Sequence, residues 1–190
     1  MAKYYLRLLL LIGAVIGLFA LIGTLLPRSY DFQSSVQVAA PAEAIYPLLV
    51  EPKRWQEWSR QWNPEEIEEL TISYNSIPSG PGAAQTWTDR RGSGKLWIVD
   101  CQSPSSVEYR MTFAGFPEMA SQFELRPDSE DPNRTEVVWS SQGRLPGGPF
   151  YGYFAPFFAT QMRNEYDKSL ARLKEQVESA TANSDEPGGQ

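Results

Sequence analysis

The chain has 190 residues, 42% hydrophobic and 13% aromatic, a composition that separates it from disordered chains and suffices for one packed domain. Acidic residues outnumber basic ones 23 to 17, and no basic stripe reverses that balance, which excludes nucleic-acid binding. There is no histidine and a single cysteine, Cys101. Imidazole chemistry, an internal disulfide framework and a cysteine-built zinc cluster are therefore excluded.

Leu8 to Leu26 runs without a charge. At about 1.5 Å per residue it spans roughly 28 Å, close to the ~30 Å hydrocarbon core of a bilayer. Tyr4 and Tyr5 stand at one end and Arg28 and Tyr30 at the other, the usual places for interfacial anchors. A cleaved secretory signal is the competing reading, but its apolar region is ordinarily shorter, and the nearest small pair, Ala39-Ala40, is followed by Pro41. Lys3 and Arg7 precede the helix, so the positive-inside rule keeps the N-terminus cytoplasmic and sends the domain outward, to the periplasmic or extracellular side. Gly13 and Gly17 have the spacing that lets two membrane helices pair weakly. Glycine is common in such helices, so incidental spacing is the simpler explanation of the pair.

Tyr30, Phe32, Val36 and Val38 alternate with polar residues and predict a first strand. Pro41 opens a short helix that Pro47 limits. Trp55, Trp58 and Trp62 follow at spacings that place three indoles on one helical face. Period two returns in Leu70–Tyr74, Gln85–Asp89, Lys95–Cys101, Val107–Phe113, Ser121–Leu125 and Glu136–Ser141, with a turn expected at Arg91–Gly94. These six strands have short connections, which predicts an antiparallel meander. After the breaker Leu145–Pro149, the residues Phe154, Phe158, Met162, Tyr166, Leu170, Leu173 and Val177 recur every three or four positions as one long amphipathic helix. The domains expected are an anchor segment over 1–28, a folded domain over 29–178 and a disordered tail over 179–190.

That element order is what an α+β helix-grip fold requires: a curved antiparallel sheet wrapped around a long C-terminal helix, here preceded by one transmembrane helix. The stretches VQVAAPAEAIYPLLVEPKRWQEWSRQWN, GSGKLWIVDCQSPSSVEYRMTF, FELRPDSEDPNRTEVVWSSQG and SLARLKEQVE resemble the polyketide cyclase/dehydrase-like members of the START and birch-pollen-allergen (SRPBCC) superfamily. The resemblance implies a cavity between sheet and final helix for lipids, sterols, polyketides or hormones. As its lining it implies Trp87, Trp97, Tyr109, Met111, Phe113, Phe123, Trp139, Phe154, Phe158 and Met162. Large adaptable side chains of this kind make apolar walls, although each one taken alone is explained as core filling.

No cofactor, metal or catalytic residue is assigned. The carboxylates Glu65-Glu66 and Glu68-Glu69 are expected as a solvated acidic face. Glu108, Arg110 and Glu124 alternate with apolar strand positions and face either a cavity or solvent. Asn133-Arg134-Thr135 has the glycosylation pattern, meaningful only on a eukaryotic secretory route. Three functions remain open. The first is a membrane-tethered binding module for an apolar small molecule or lipid. The second is a cyclase- or dehydratase-type enzyme using the same cavity. The third is an interaction module without a functional cavity, meeting its partner through the three tryptophans or the Gly143–Pro156 region.

Overall fold

A computed structural model describes residues 2–185 in backbone and 3–182 in side chain. Helix α1 spans Ala2–Leu25 and is long and apolar enough to cross a membrane, with nearly all of its side chains exposed. Strand β1 (Ser29–Val38) follows within a few residues, then helix α2 (Ala42–Val50). Next come a short helical turn (Pro52–Arg54), the single-turn helix α3 (Trp55–Trp58) and a second turn (Arg60–Trp62). The meander is β2 (Thr71–Tyr74), β3 (Ala84–Asp89), β4 (Gly92–Gln102), β5 (Ser106–Phe113), β6 (Met119–Pro127) and β7 (Thr135–Arg144). Helix α4 (Tyr151–Asp185) closes the chain.

The seven strands form one antiparallel sheet in the order β1-β7-β6-β5-β4-β3-β2. Among the described residues only β1 makes a non-local strand pairing, closing onto β7 over its whole length from Ser29 opposite Arg144 to Val38 opposite Thr135. A bulge between Ile98 and Asp100 interrupts the β4–β5 ladder; such an extra residue bends a strand and increases its twist. Along β5 and β6, Val107, Tyr109, Met119, Ser121, Phe123 and Leu125 turn inward, with Glu108, Arg110, Gln122 and Glu124 on the other face. Helix α4 crosses the inner face, with Ala155, Tyr166, Leu170, Leu173 and Val177 buried against the sheet. From Tyr166 onward the spacing of three to four is what one side of a helix requires.

Three features differ from the sequence reading. The β3–β4 connection is a two-residue turn at Arg90-Arg91, with Asp89 opposite Gly92, one step before the glycines. Gly92 has φ +140, and Gly94 lies in the strand, where an added Cβ would come within 2.3 Å of the Trp87 ring. The second glycine is thus spent on packing rather than on turning. Helix α4 continues through Ala180 to Asp185, past the expected start of the tail; 186–190 lie outside the described residues. Finally, Trp55, Trp58 and Trp62 do not share one helix, because Ser59 is extended at φ -88, ψ 125 and separates α3 from the next turn.

Candidate functional site

The interior has two parts of different character. The first is a filled aromatic core. Trp55, Trp58 and Trp62 are almost fully buried, so they offer no aromatic surface to a partner, contrary to one of the expectations above. The Trp55 and Trp58 indoles donate to the carbonyl oxygens of Leu49 (3.0 Å) and Leu48 (3.2 Å) at the end of α2. A buried indole N–H needs such an acceptor. Trp55 meets Tyr109 and Phe123 edge to face, and Trp58 meets Trp139 in the same way.

Beneath these rings lies a sealed polar cluster. Trp139 donates to the Tyr109 hydroxyl at 2.8 Å. The Ser141 hydroxyl sits 2.7 Å from that of Tyr166 and 2.5 Å from that of Ser121. Burial pushes both tyrosines above their ordinary value, Tyr166 well above it. Both rings are shut off from solvent, so these hydroxyls serve as neutral structural groups.

The second part is open. A cavity of about 280 Å³ lies between β3, β5, the β5–β6 loop and α4. Its apolar walls come from Tyr30, Trp62, Ile67, Trp87, Met111, Phe113, Phe116, Pro117, Met119, Phe158 and Met162. Trp87 and Phe113 stack in parallel across β3 and β5, and Phe116 and Phe158 do the same across the loop and α4. Charged groups form a collar at one side. Arg60 bonds Glu66 at 2.7 Å and approaches Glu165 at 3.7 Å, and Arg172 also pairs with Glu66. The Arg60 hydrogen bond is the main reason the Glu66 carboxyl lies below its ordinary value.

Arg91, also on the rim, is held by Asp89: its guanidinium reaches Asp89 Oδ2 at 2.7 Å, and its backbone N–H donates to Oδ1 at 2.7 Å. Burial alone would raise the Asp89 carboxyl, but these bonds outweigh it and hold it below its ordinary value. The stretch Glu65–Glu69 is a solvated acidic face, as expected, with Glu66 also paired into the collar and Glu68 with Arg90.

Of the ten residues proposed as lining, Trp87, Met111, Phe113, Phe158 and Met162 come together around this cavity. Tyr109, Phe123 and Trp139 are sealed in the aromatic core. Trp97 lies on the outer face, with the Lys95 ammonium 5.4 Å from its ring centroid. Phe154 points out from the start of α4, 39% exposed. Glu108, Arg110 and Glu124 face away from the cavity: Arg110 pairs with Glu118 at 3.4 Å and Glu124 with Arg126 at 2.6 Å. An inward acid or base on β5 or β6 is therefore not what these positions supply.

Tyr30, Trp62, Phe116 and Met119 line the cavity although the sequence reading did not assign them to it. Met119 shares the inward parity of Ser121 and Phe123, so extending β6 by one step would have found it. Phe116 sits in a loop with no periodicity to read.

A sheet gripping a long C-terminal helix above an apolar cavity defines the helix-grip class. The chain belongs to the polyketide cyclase / dehydrase and lipid transport family, whose model matches residues 29–178. No curated protein is similar to it in sequence.

Among solved structures it is similar to a Thalictrum norcoclaurine synthase point mutant in complex with a transition-state analogue. The two are 14% identical, with a TM-score of 0.61 over 82% of this chain and 98% of that one. It is also similar to a Staphylococcus aureus protein of unknown function (10% identity, TM-score 0.62, 82% and 98% covered). A third is the di-domain ARO/CYC BexL (13% identity, TM-score 0.58), of which the chain spans 50% while 80% of its own length is covered. At these identities the likeness is one of fold.

Proposed function

We propose that the chain is a membrane-tethered binding module that holds an apolar small molecule or a single lipid chain in the cavity between the sheet and α4. The observation that carries this reading is the coexistence of a densely filled aromatic core with one unfilled apolar space. The three tryptophans are buried and in mutual ring contact, whereas about 280 Å³ beside them stays open, although interiors normally approach crystal density. That volume falls just under the ~300–1,000 Å³ of drug-sized ligand pockets, which favours one alkyl chain or a one- to two-ring molecule over a bulky sterol.

The titratable groups on the lining support binding over turnover. Arg60, Glu66, Arg91 and Glu165 stand in ion pairs at the rim or are held by a carboxylate. Tyr30 has its pKa raised to about 12, chiefly by burial and then by Tyr166, which suits it poorly to proton transfer near neutral pH. Tethering through α1, with the positive end of the chain cytoplasmic and the domain outside, completes the reading.

Native mass spectrometry of the full chain, extracted from its own membrane, tests it. A reproducible added mass that organic extraction removes is the expected result. A clean apo mass from the native membrane and after incubation with a lipid extract would count against a carrier and favour the cyclase-type alternative.

A further inference from the structure

We propose that the first turns of α4 are seated in the bilayer interface beside α1, so that the aromatic end of the cavity faces the acyl chains. This rests on the reading of α1 as membrane-spanning and adds to it a fixed placement of the domain.

The two helices do not merely follow a flexible linker; they pack. Phe19 of α1 and Tyr153 of α4 stack with centroids 4.3 Å apart and planes 7° apart. The Tyr153 hydroxyl donates to the Phe19 carbonyl at 2.9 Å. Gly23 and Gly152 make the close approach possible: a Cβ on Gly152 would lie 2.6 Å from the Gly23 carbonyl oxygen and 2.6 Å from the Leu26 Cβ. Small residues serve the same end wherever helices meet within membranes.

Depth follows from position along α1. Phe19 precedes the end of the apolar stretch at Leu26 by about two turns, or roughly 10 Å at about 1.5 Å per residue. A side chain stacked on Phe19 therefore lies below the headgroups, and a tyrosine suits that boundary because its ring is apolar and its hydroxyl finds an acceptor.

The surface around this contact is apolar and uncovered. Phe150 is 70% exposed, Phe157 56% and Phe154 39%, three large rings within two turns of one another. Such a cluster marks an interaction surface rather than ordinary solvent-facing residues. The continuity with α1 commits it to lipid: whatever holds α1 in a bilayer brings these rings to the same bilayer.

The patch also connects inward. Phe154 packs against Phe158 at 6.1 Å, and Phe158 stacks on Phe116 at 6.2 Å, both of the latter lining the cavity. The charged collar lies beyond, with Glu165 two turns further along α4 from Phe158. An apolar ligand thus has an aromatic route between acyl chains and cavity that avoids the charged rim.

The test uses the full chain with Cys101→Ser, carrying one new cysteine at a time: Phe154→Cys, Phe157→Cys, Val15→Cys in α1, or Asp131→Cys in the β6–β7 loop. Each is labelled with the fluorophore NBD and reconstituted in phosphatidylcholine–phosphatidylglycerol vesicles containing lipids with a nitroxide at a shallow acyl position. Blue-shifted emission and nitroxide quenching at 154 and 157, with neither at 131, is the expected result. Quenching at 15 but not at 154 or 157 overturns the placement while leaving the anchor intact, including the case where a protein partner shields those rings from lipid. No quenching at 15 overturns the anchor reading itself, and the placement with it.

Discussion

The indole of Trp139 on β7 lies flat on the ring of Tyr166 on α4, with centroids 3.5 Å apart and planes 8° apart. This contact clamps the helix to the sheet and covers the buried hydroxyl cluster of Tyr109, Ser121, Ser141 and Tyr166. Tyr166→Phe keeps the stacking but removes one of the two hydroxyl partners of Ser141, leaving Ser121, which is expected to cost about 0.5–1.5 kcal/mol, the net contribution of a hydrogen bond. Tyr166→Ala removes the ring as well and is expected to cost about 3–5 kcal/mol. Urea unfolding of the detergent-solubilised chain measures both; equal costs for the two variants would contradict the clamp made by the ring, and no cost for Tyr166→Phe would contradict the role of the hydroxyl.

Filling the cavity should abolish binding without unfolding the protein. Met111→Trp and Phe158→Trp each place a larger ring in existing space rather than in packed core. Each should weaken retention of a bound apolar molecule at least tenfold, about 1.4 kcal/mol, while the melting temperature moves little. Native mass spectrometry paired with thermal melts reads both quantities, and unchanged retention in both variants would remove the assignment of the cavity as the ligand site.

The buried tyrosines make stability sensitive to alkali. The folded pKa of Tyr30 is raised from 10.0 to about 12, chiefly by burial, and that of Tyr166 moves in the same direction for the same reason. A group whose neutral form is favoured by folding contributes stability that is complete below its unfolded value and lost as pH rises through the folded one. The tyrosine contribution to the denaturant midpoint should therefore be complete up to about pH 10 and be lost from there towards pH 12. Tyr30→Phe should soften that loss, which ultraviolet titration against denaturant midpoints would show.

Gly152→Val is expected to separate α1 from α4, because its Cβ has no room beside the Gly23 carbonyl oxygen and Leu26. The cost falls on the helix contact rather than on the folded domain. Nitroxide quenching of a fluorophore at position 154 should drop while urea stability of the domain stays within about 0.5 kcal/mol, as for surface substitutions. A large loss of domain stability would mean that the two helices are one folding unit.

Much of this architecture is legible in the sequence, because a sheet with one buried face writes period two into every strand. The failures have local causes. In Leu96-Trp97-Ile98-Val99 the apolar run is unbroken, so parity cannot be read, and Trp97 falls on the outer face while Leu96 and Ile98 take the inner one. Tyr109, Phe123 and Trp139 have the correct inward parity, but parity does not say which inward ring meets empty space. That depends on Trp55 and Trp58, which fill the volume above them from the single-turn helix α3 that ends at Ser59. The cavity is what remains where those indoles do not reach, and only packing in three dimensions locates it. The apolar cluster at the start of α4 was legible as residues but not as a surface, since Phe154 and Phe158 look alike in sequence and differ only in what covers them.

The most direct test of the central claim is photo-crosslinking of the full chain in vesicles that contain a diazirine-bearing medium-chain fatty acid, followed by peptide mapping. The account predicts label on Met111, Phe116, Phe158 and Met162, competed away by unlabelled fatty acid and lost in Met111→Trp. Label confined to α1 and the exposed Phe150, Phe154 and Phe157, unaffected by competitor, would show a chain that meets lipid only from outside and would contradict a ligand held in the cavity.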